Sequence, residues 1–293
     1  MRQASKKARR SRLVMIVLFT LVIVLAVWGV AALADRIIHY GANATVSARD
    51  NEQPAAEPPS TVPEADTAPQ NTYDPDCFYR GEDGFLRYES GAVTSAVGID
   101  VSEHQQSVDW QRVADAGVEF VILRVGNRGT TEGEIMEDAY FEQNLDGAIN
   151  AGLEVGVYFF SQAMDEQEAR EEARFVLDKI SGYQLAYPVF FDWEKAGTGT
   201  RSDAMDLASL TIVTDTFCSM IEAAGYRAGL YFNQQLGYEE LHLPSLQSYA
   251  FWLAEYNDTP SFTYDFDFWQ YTSEGSVDGI DGPVDCNIAF IGK

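Results

Sequence analysis

From residue 97 onward, apolar and polar positions alternate in a regular rhythm of strand and helix. VGIDV (97–101) reads as a strand, followed by a short helix through residues 113–116 that stops at Gly117. FVILRV (120–125) is the next strand, and residues 139–151 form a helix with Phe141, Leu145 and Ile149 on one face and Gly152 as its stop. LEVGVYFFS (153–161) is a strand. The helix over 165–181 repeats its apolar face at Ala169, Ala173, Val176, Leu177 and Ile180. PVFFDWE (188–194) is the fourth strand, 207–224 a helix stopped by Gly225, and RAGLYF (227–232) the fifth strand. After that AFWLAEY (250–256), DFDFWQYT (265–272) and VDCNIAF (284–290) read as strands without long helices between them. Five strand–helix units followed by three strands predict an α/β fold, an irregular TIM-like barrel of about eight strands with helices around part of its girth.

The pattern ahead of this region is different. Residues 13–34, LVMIVLFTLVIVLAVWGVAALA, carry no charge and are long enough to cross a bilayer as a helix. The twelve residues before them hold Arg2, Lys6, Lys7, Arg9, Arg10 and Arg12 and no acid, which places that end in the cytoplasm. This reads as a signal anchor, with a basic cytoplasmic tail (1–12) and everything after Asp35 outside a single-pass cell membrane. Cleavage near Ala34, with secretion of the remainder, is the alternative. Residues 41–72 have almost no large apolar side chains and read as a spacer, so 35–72 is assigned as a linker; 73–95 regain aromatics and turn residues as a short lead-in; 96–293 form the barrel.

The chain has 293 residues and a formal net charge of −25, although its first twelve residues are strongly basic. So acidic a body excludes nucleic acid as a partner, because phosphate contacts need clustered Lys and Arg. The three cysteines, Cys77, Cys218 and Cys286, lack metal-ligand spacing. An extracytoplasmic setting permits disulfides; Cys77–Cys286 is one pairing the sequence allows but does not establish, and Cys218 lies in an apolar helical stretch that suits a core position. With three histidines, no HExxH, no G-x-S-x-G and no phosphate-binding glycine loop, zinc hydrolysis, serine-triad chemistry and nucleotide chemistry fall away. No metal or other cofactor is expected, and the chain is expected to act as a monomer.

Carboxylates remain. In a strand, residues two apart share a face, so Asp192 and Glu194 point the same way and Trp193 the other. They end an apolar strand, at the position where α/β barrels open their catalytic mouth. Asp100 closes the first strand and Asp285 lies in the last, so a barrel would bring four acids together. Idle, solvated acids at strand ends are the competing reading, but carboxylates emerging together from a core shift one another's pKa. Tyr158, Phe160, Tyr231, Trp252, Tyr256, Trp269 and Tyr271 fall near the proposed strand ends, with Gln270 between the last two aromatics on its strand. Such side chains either stack on sugar rings or fill the barrel. Arg124 closes the second strand, and either neutralises one aspartate or faces solvent.

The blocks GIDVSEHQQSVDWQRVADAGVEFVILRVG, AGLEVGVYFFS, PVFFDWE, FWLAEY and FWQYTSEGSVDGIDGPVDCN, in this order, resemble glycoside hydrolase family 25, the CH-type lysozymes, over about residues 96–292. The resemblance implies the same irregular barrel. It also implies cleavage of the β-1,4 bond between N-acetylmuramic acid and N-acetylglucosamine in peptidoglycan. By motif match Glu194 would be the general acid, Asp192 its partner, and Asp100 and Asp285 the other active-site aspartates. Apart from the motif match, Tyr158, Phe160, Tyr231, Trp252, Tyr256, Gln270 and Arg124 are the substrate-binding candidates. One departure is visible, Phe159, where many relatives carry histidine. Two strand steps separate Cα atoms by about 6.6 Å, near the boundary between the retaining and inverting carboxylate separations, and a Cα spacing does not fix the distance between carboxyl groups. Retention, inversion and assistance by the substrate's acetamido group therefore all stay open. An inactive wall-binding relative and a glycosidase for another N-acetylated glycan, such as chitin, are the alternatives.

Overall fold

The computed structural model describes residues 68–293. The tail at 1–12, the anchor at 13–34 and most of the linker lie outside them. Among the described residues, no helix is long and apolar enough to cross a membrane.

Among the described residues, eleven strands form one sheet. A hairpin of β1 (Phe78–Arg80) and β2 (Leu86–Ser90) leads antiparallel into β3 (Val93–Val101). The remaining strands are β4 (Phe120–Arg128), β5 (Ile135–Glu137), β6 (Glu154–Ser161), β7 (Val189–Trp193), β8 (Ala228–Asn233), β9 (Ala250–Ala254), β10 (Phe268–Gly275) and β11 (Val284–Ile291). Their order is β1-β2-β3-β11-β10-β9-β8-β7-β6-β4-β5, and a further β3–β4 pairing closes eight of them into a barrel. Neighbours from β3 through β10 around the barrel run parallel. Within the barrel, β11 alone runs against both of its neighbours. The short β5, which folds back on β4, has no counterpart in the sequence reading.

The helices are α1 (Trp110–Asp115), α2 (Phe141–Asn150), α3 (Glu166–Lys179), α4 (Leu207–Ala223) and the single turn α5 (Leu243–Leu246). The sequence explains their ends. Asp165 caps α3 by accepting from the Glu168 amide at 3.0 Å, and Asp206 caps α4 by accepting from Ser209 at 2.8 Å. Gly225, at φ 92°, ends α4 in a conformation that other residues resist. Helix α3 turns Ala169, Ala173 and Val176 inward, all buried, so small side chains set its approach to the sheet. The last three barrel strands are flanked by little helix, in agreement with the sequence rhythm.

Alternation divides the core into two parts. Outward residues such as Val97, Ile99, Val121, Leu123, Val157, Phe159, Phe191 and Trp193 pack beneath the helices. Inward residues Ala96, Phe120, Ile122, Phe190, Ala250, Trp252, Phe268 and Ala289, with Tyr187, fill the barrel. Glycine makes room for these aromatics: a Cβ on Gly98 would lie 2.2 Å from the Phe120 ring, and one on Gly229 would lie 2.5 Å from Phe190. Residues ahead of the hairpin also pack on the barrel. Ala68 is buried, Gln70 bridges to Tyr264, and the Tyr73 ring stacks on Phe290 at 3.8 Å. The three cysteines are all free, so the Cys77–Cys286 pairing does not form here; Cys218 is a fully buried core residue.

Candidate active site

The inward rows of six parallel strands and of the antiparallel β11 meet in a common hollow. A cavity of about 230 Å³ is lined by Asp100, Tyr158, Phe160, Asp192, Glu194, Tyr231, Trp252, Tyr256, Gln270 and Asp285. Ten of the eleven sequence candidates meet there, brought from strands β3, β6, β7, β8, β9, β10 and β11 and the residues that follow them. Asp192 is the last inward residue of β7, above Phe190. Glu194 follows one residue beyond the strand, while Trp193 turns outward and is buried.

The acids are tied together by amides. Asp285 and Asp100 lie opposite each other in the antiparallel β11–β3 register. Asp100 Oδ2 accepts from Gln270 Nε2 and from Asn287 Nδ2, both at 2.8 Å. Gln270 Oε1 in turn accepts from the hydroxyls of Tyr231 (3.0 Å) and Tyr256 (2.9 Å), and Asn287 Oδ1 accepts from the Trp252 indole at 2.8 Å. Asp192 differs: its Oδ1 is buried without a hydrogen-bond partner.

This environment resists negative charge. Burial pushes Asp100 and Asp192 well above the usual carboxylate range, and the charges of Asp285 and Glu194 respectively push them further. Asp285 rises to about 6, mainly through burial. Glu194 is also raised by burial first, but the charge that raises it further is that of Asp285, not Asp192 as the strand spacing alone had suggested. The phenols of Tyr158 and Tyr231 are pushed up by burial as well, which keeps them neutral donors. Among the described residues, no group of His, Cys, Asp and Glu is arranged to hold a metal ion.

Three expectations need correction. Arg124 does not line the cavity; its Nε donates to Asp138 at 2.8 Å and its guanidinium pairs with Glu103 at 2.9 Å, so it ion-pairs with none of the four acids. Its charge still eases the ionisation of Asp192. Trp269 and Tyr271 fall on the outward face of β10, because the inward positions there are Phe268 and Gln270; the Trp269 indole donates to the Glu255 carbonyl instead. Phe159, the departure from the family pattern, was not expected among the acids, and it faces outward, buried near Phe175 and away from them.

The sequence reading passed over two residues. Asn287 lies two positions beyond Asp285 on the same face of β11, and that spacing was the available signal. Gln162 follows β6 and is fully buried; its Nε2 donates to the Glu194 carbonyl at 2.7 Å and to the Ser161 carbonyl at 2.9 Å. The β6–β7 ladder ends at Ser161 and Trp193, so this amide supplies the next tie and holds the backbone of Glu194. Nothing in the local sequence marks it.

A larger hollow of about 650 Å³, lined by residues such as Trp110, Arg112, Asp278 and Asp281, holds none of these acids. The acid-lined cavity is the candidate site because there buried carboxylates and neutral donors converge.

Residues 99–280 match the sequence family described as glycosyl hydrolases family 25. The chain is 30% identical over 198 residues to the uncharacterized protein YegX of Escherichia coli K12, covering 65% of this chain and 68% of that one. It is 30% identical over 189 residues to the autolytic lysozyme of Clostridium acetobutylicum, covering 64% of this chain and 54% of the relative. Among solved structures, the modular autolysin LytC of Streptococcus pneumoniae superposes with a TM-score of 0.60 at 26% identity, over 72% of this chain and 51% of LytC. The chain thus spans about half the length of those two lytic relatives. With a family match over more than half its length, and with the barrel and acid-lined mouth described above, this chain belongs to glycosyl hydrolases family 25.

Proposed function

We propose that the protein is a peptidoglycan muramidase, a lysozyme that hydrolyses the β-1,4 bond between N-acetylmuramic acid and N-acetylglucosamine. The observation that carries this reading is the convergence of Asp192 and Glu194 with Asp100 and Asp285 on one cavity, in surroundings that raise all four pKa values. The family match supports it, as does a LytC structure described as a complex with a synthetic peptidoglycan ligand, to which this chain is 25% identical with a TM-score of 0.61.

In this reading Glu194 gives its proton to the glycosidic oxygen as the C1–O bond breaks. The partnerless Oδ1 of Asp192 suits an N–H donor, and both sugars of the polymer carry an acetamide N–H. Asp192 would hold that group while its carbonyl oxygen attacks C1 to form a cyclic intermediate. Glu194, now a carboxylate, then takes a proton from the water that opens the ring, so the anomeric configuration is retained. Asp100, fixed by Gln270 and Asn287, and Asp285 would complete the charge balance, and Tyr256, more than half exposed at the rim, offers a face for a sugar ring.

The test is release of reducing ends from purified peptidoglycan. Wild-type protein should release them and Glu194→Gln should not, with its fold intact by circular dichroism. Full activity in that variant would remove Glu194 from the role. Wild-type binding without cleavage would favour a wall-binding protein, and preference for chitin would favour a different glycan. NMR should show the β anomer as first product; the α anomer would exclude acetamide assistance. We further propose that residues 13–34 anchor the enzyme with its barrel outside the cell, where the substrate lies. Recovery of the full-length chain in the soluble fraction would refute the anchor.

A further inference from the structure

A second hollow, of about 200 Å³, adjoins the acid cavity and shares Glu194 as a wall; its other lining residues are Lys195, Asn233, Gln235, Leu236 and Glu240. Among the described residues lining these two hollows, Lys195 is the one cation. Its ammonium pairs with Glu240 while the Lys195 side chain stays about half exposed, so further N–H donors remain available. Asn233 closes β8 on the inward face. Its Oδ1 is used by the Leu236 amide at 3.0 Å, and its Nδ2 has no partner among the described residues. An ammonium and a free amide N–H₂ therefore sit beside a cleft otherwise built from four carboxylates. Ionised acids in that cleft repel an anionic ligand group, and this hollow, which Glu194 and Glu240 also line, offers the one ammonium that can meet it.

We propose that this hollow is a subsite for a carboxylate carried by the glycan strand beside the scissile bond. Lys195 Nζ and Asn233 Nδ2 donate to it, and Glu240 holds the ammonium in place while the site is empty. The inference rests on the muramidase reading, because that polymer carries carboxylates from two sources: the lactyl group of muramic acid and the peptide stem.

The test uses the full chain carrying Glu194→Gln, so that ligands stay uncut, and titrates three muramic-acid tetrasaccharides by calorimetry. One is peptide-free with free lactyl carboxylates, one is the same molecule as lactyl methyl esters, and one bears peptide stems. Adding Lys195→Gln should weaken the free-acid form about fivefold and leave the ester unchanged. Adding Glu240→Gln should tighten the free acid and again spare the ester. An effect confined to the peptide-bearing ligand assigns the carboxylate to the stem. Equal effects on acid and ester, or none on any ligand that binds, overturn the subsite. If the parent binds none of the three and wild-type protein releases no reducing ends, the muramidase reading itself has failed.

Discussion

Replacing Asp285 by Asn should stabilise the unliganded domain at neutral pH while impairing catalysis. The Asp285 carboxyl rises from 3.8 to about 6 in the fold, chiefly because it is buried. A carboxyl with a raised folded pKa costs nothing below the unfolded value, where both states hold the proton. Between pH 3.8 and about 6 the unfolded chain loses its proton first, so stability falls across that window and then stays level. About two pKa units correspond to roughly 3 kcal/mol, and partial solvent contact trims this to about 2 kcal/mol. Asn keeps an acceptor oxygen for Asp100 and carries no charge. Wild type and Asp285→Asn should therefore match at pH 3.5, with the variant ahead by about 2 kcal/mol at pH 7.5, or about 4–8 °C in melting temperature for a domain of this size. Because the Asp285 charge raises both Asp100 and Glu194, the alkaline limb of any residual activity should move to lower pH. Thermal melts at half-unit pH steps measure the first effect and reducing-end assays the second. A stability difference independent of pH, or a variant less stable at pH 7.5, would refute the reasoning.

Three further perturbations probe the supports of the site. Gln162→Leu keeps the side-chain volume but removes both ties to the Ser161 and Glu194 carbonyls; kcat on peptidoglycan should drop about 10–100-fold with little change in KM, since a shift near 1 Å in a reacting group costs that much. Asn287→Leu strips one donor from Asp100 and leaves the buried Trp252 indole without a partner, which should cost about 2–4 kcal/mol by urea denaturation. Gly98→Ala drives a methyl into the Phe120 ring and should destabilise by about 1–3 kcal/mol, with the melting temperature as readout.

Much of the barrel was legible because its signal is local. The alternation in VGIDV and PVFFDWE fixes which side chains face inward, and the glycines at 117, 152 and 225 mark helix ends. The inward/outward rule also placed Asp192, Glu194 and Trp193 correctly. Misjudgements arose where chemistry depended on partners distant in sequence. Arg124 does face the barrel interior side of β4, but Asp138 and Glu103, which follow other strands, capture its guanidinium. Trp269 and Tyr271 looked like mouth aromatics because aromaticity was read without phase; Gln270 between them holds the inward position. Gln162 was invisible because its partner, the backbone of Glu194, lies 32 residues away, and a carbonyl leaves no trace in sequence.

Depth along one strand separates the two central acids. Asp192 lies within the last rung of β7, fully enclosed, while Glu194 sits beyond the ladder and reaches the cavity rim. In the empty cleft the deeper acid is the harder to ionise, and the Glu194 charge adds to its burden. A ligand N–H placed on the partnerless Asp192 Oδ1 would stabilise its carboxylate, because a hydrogen bond to the charged form favours that form. The resulting charge, two residues from Glu194, would in turn hold the proton on Glu194. On the proposed mechanism, then, substrate binding itself hands the proton to the residue that must donate it. The alkaline limb of kcat, which reports the bound enzyme, should lie at higher pH than that of kcat/KM, which reports the free enzyme. In Asp192→Asn the two limbs should coincide, because no charge can develop at that position. Coincident limbs in the wild-type enzyme would show that the acetamide does not act through Asp192.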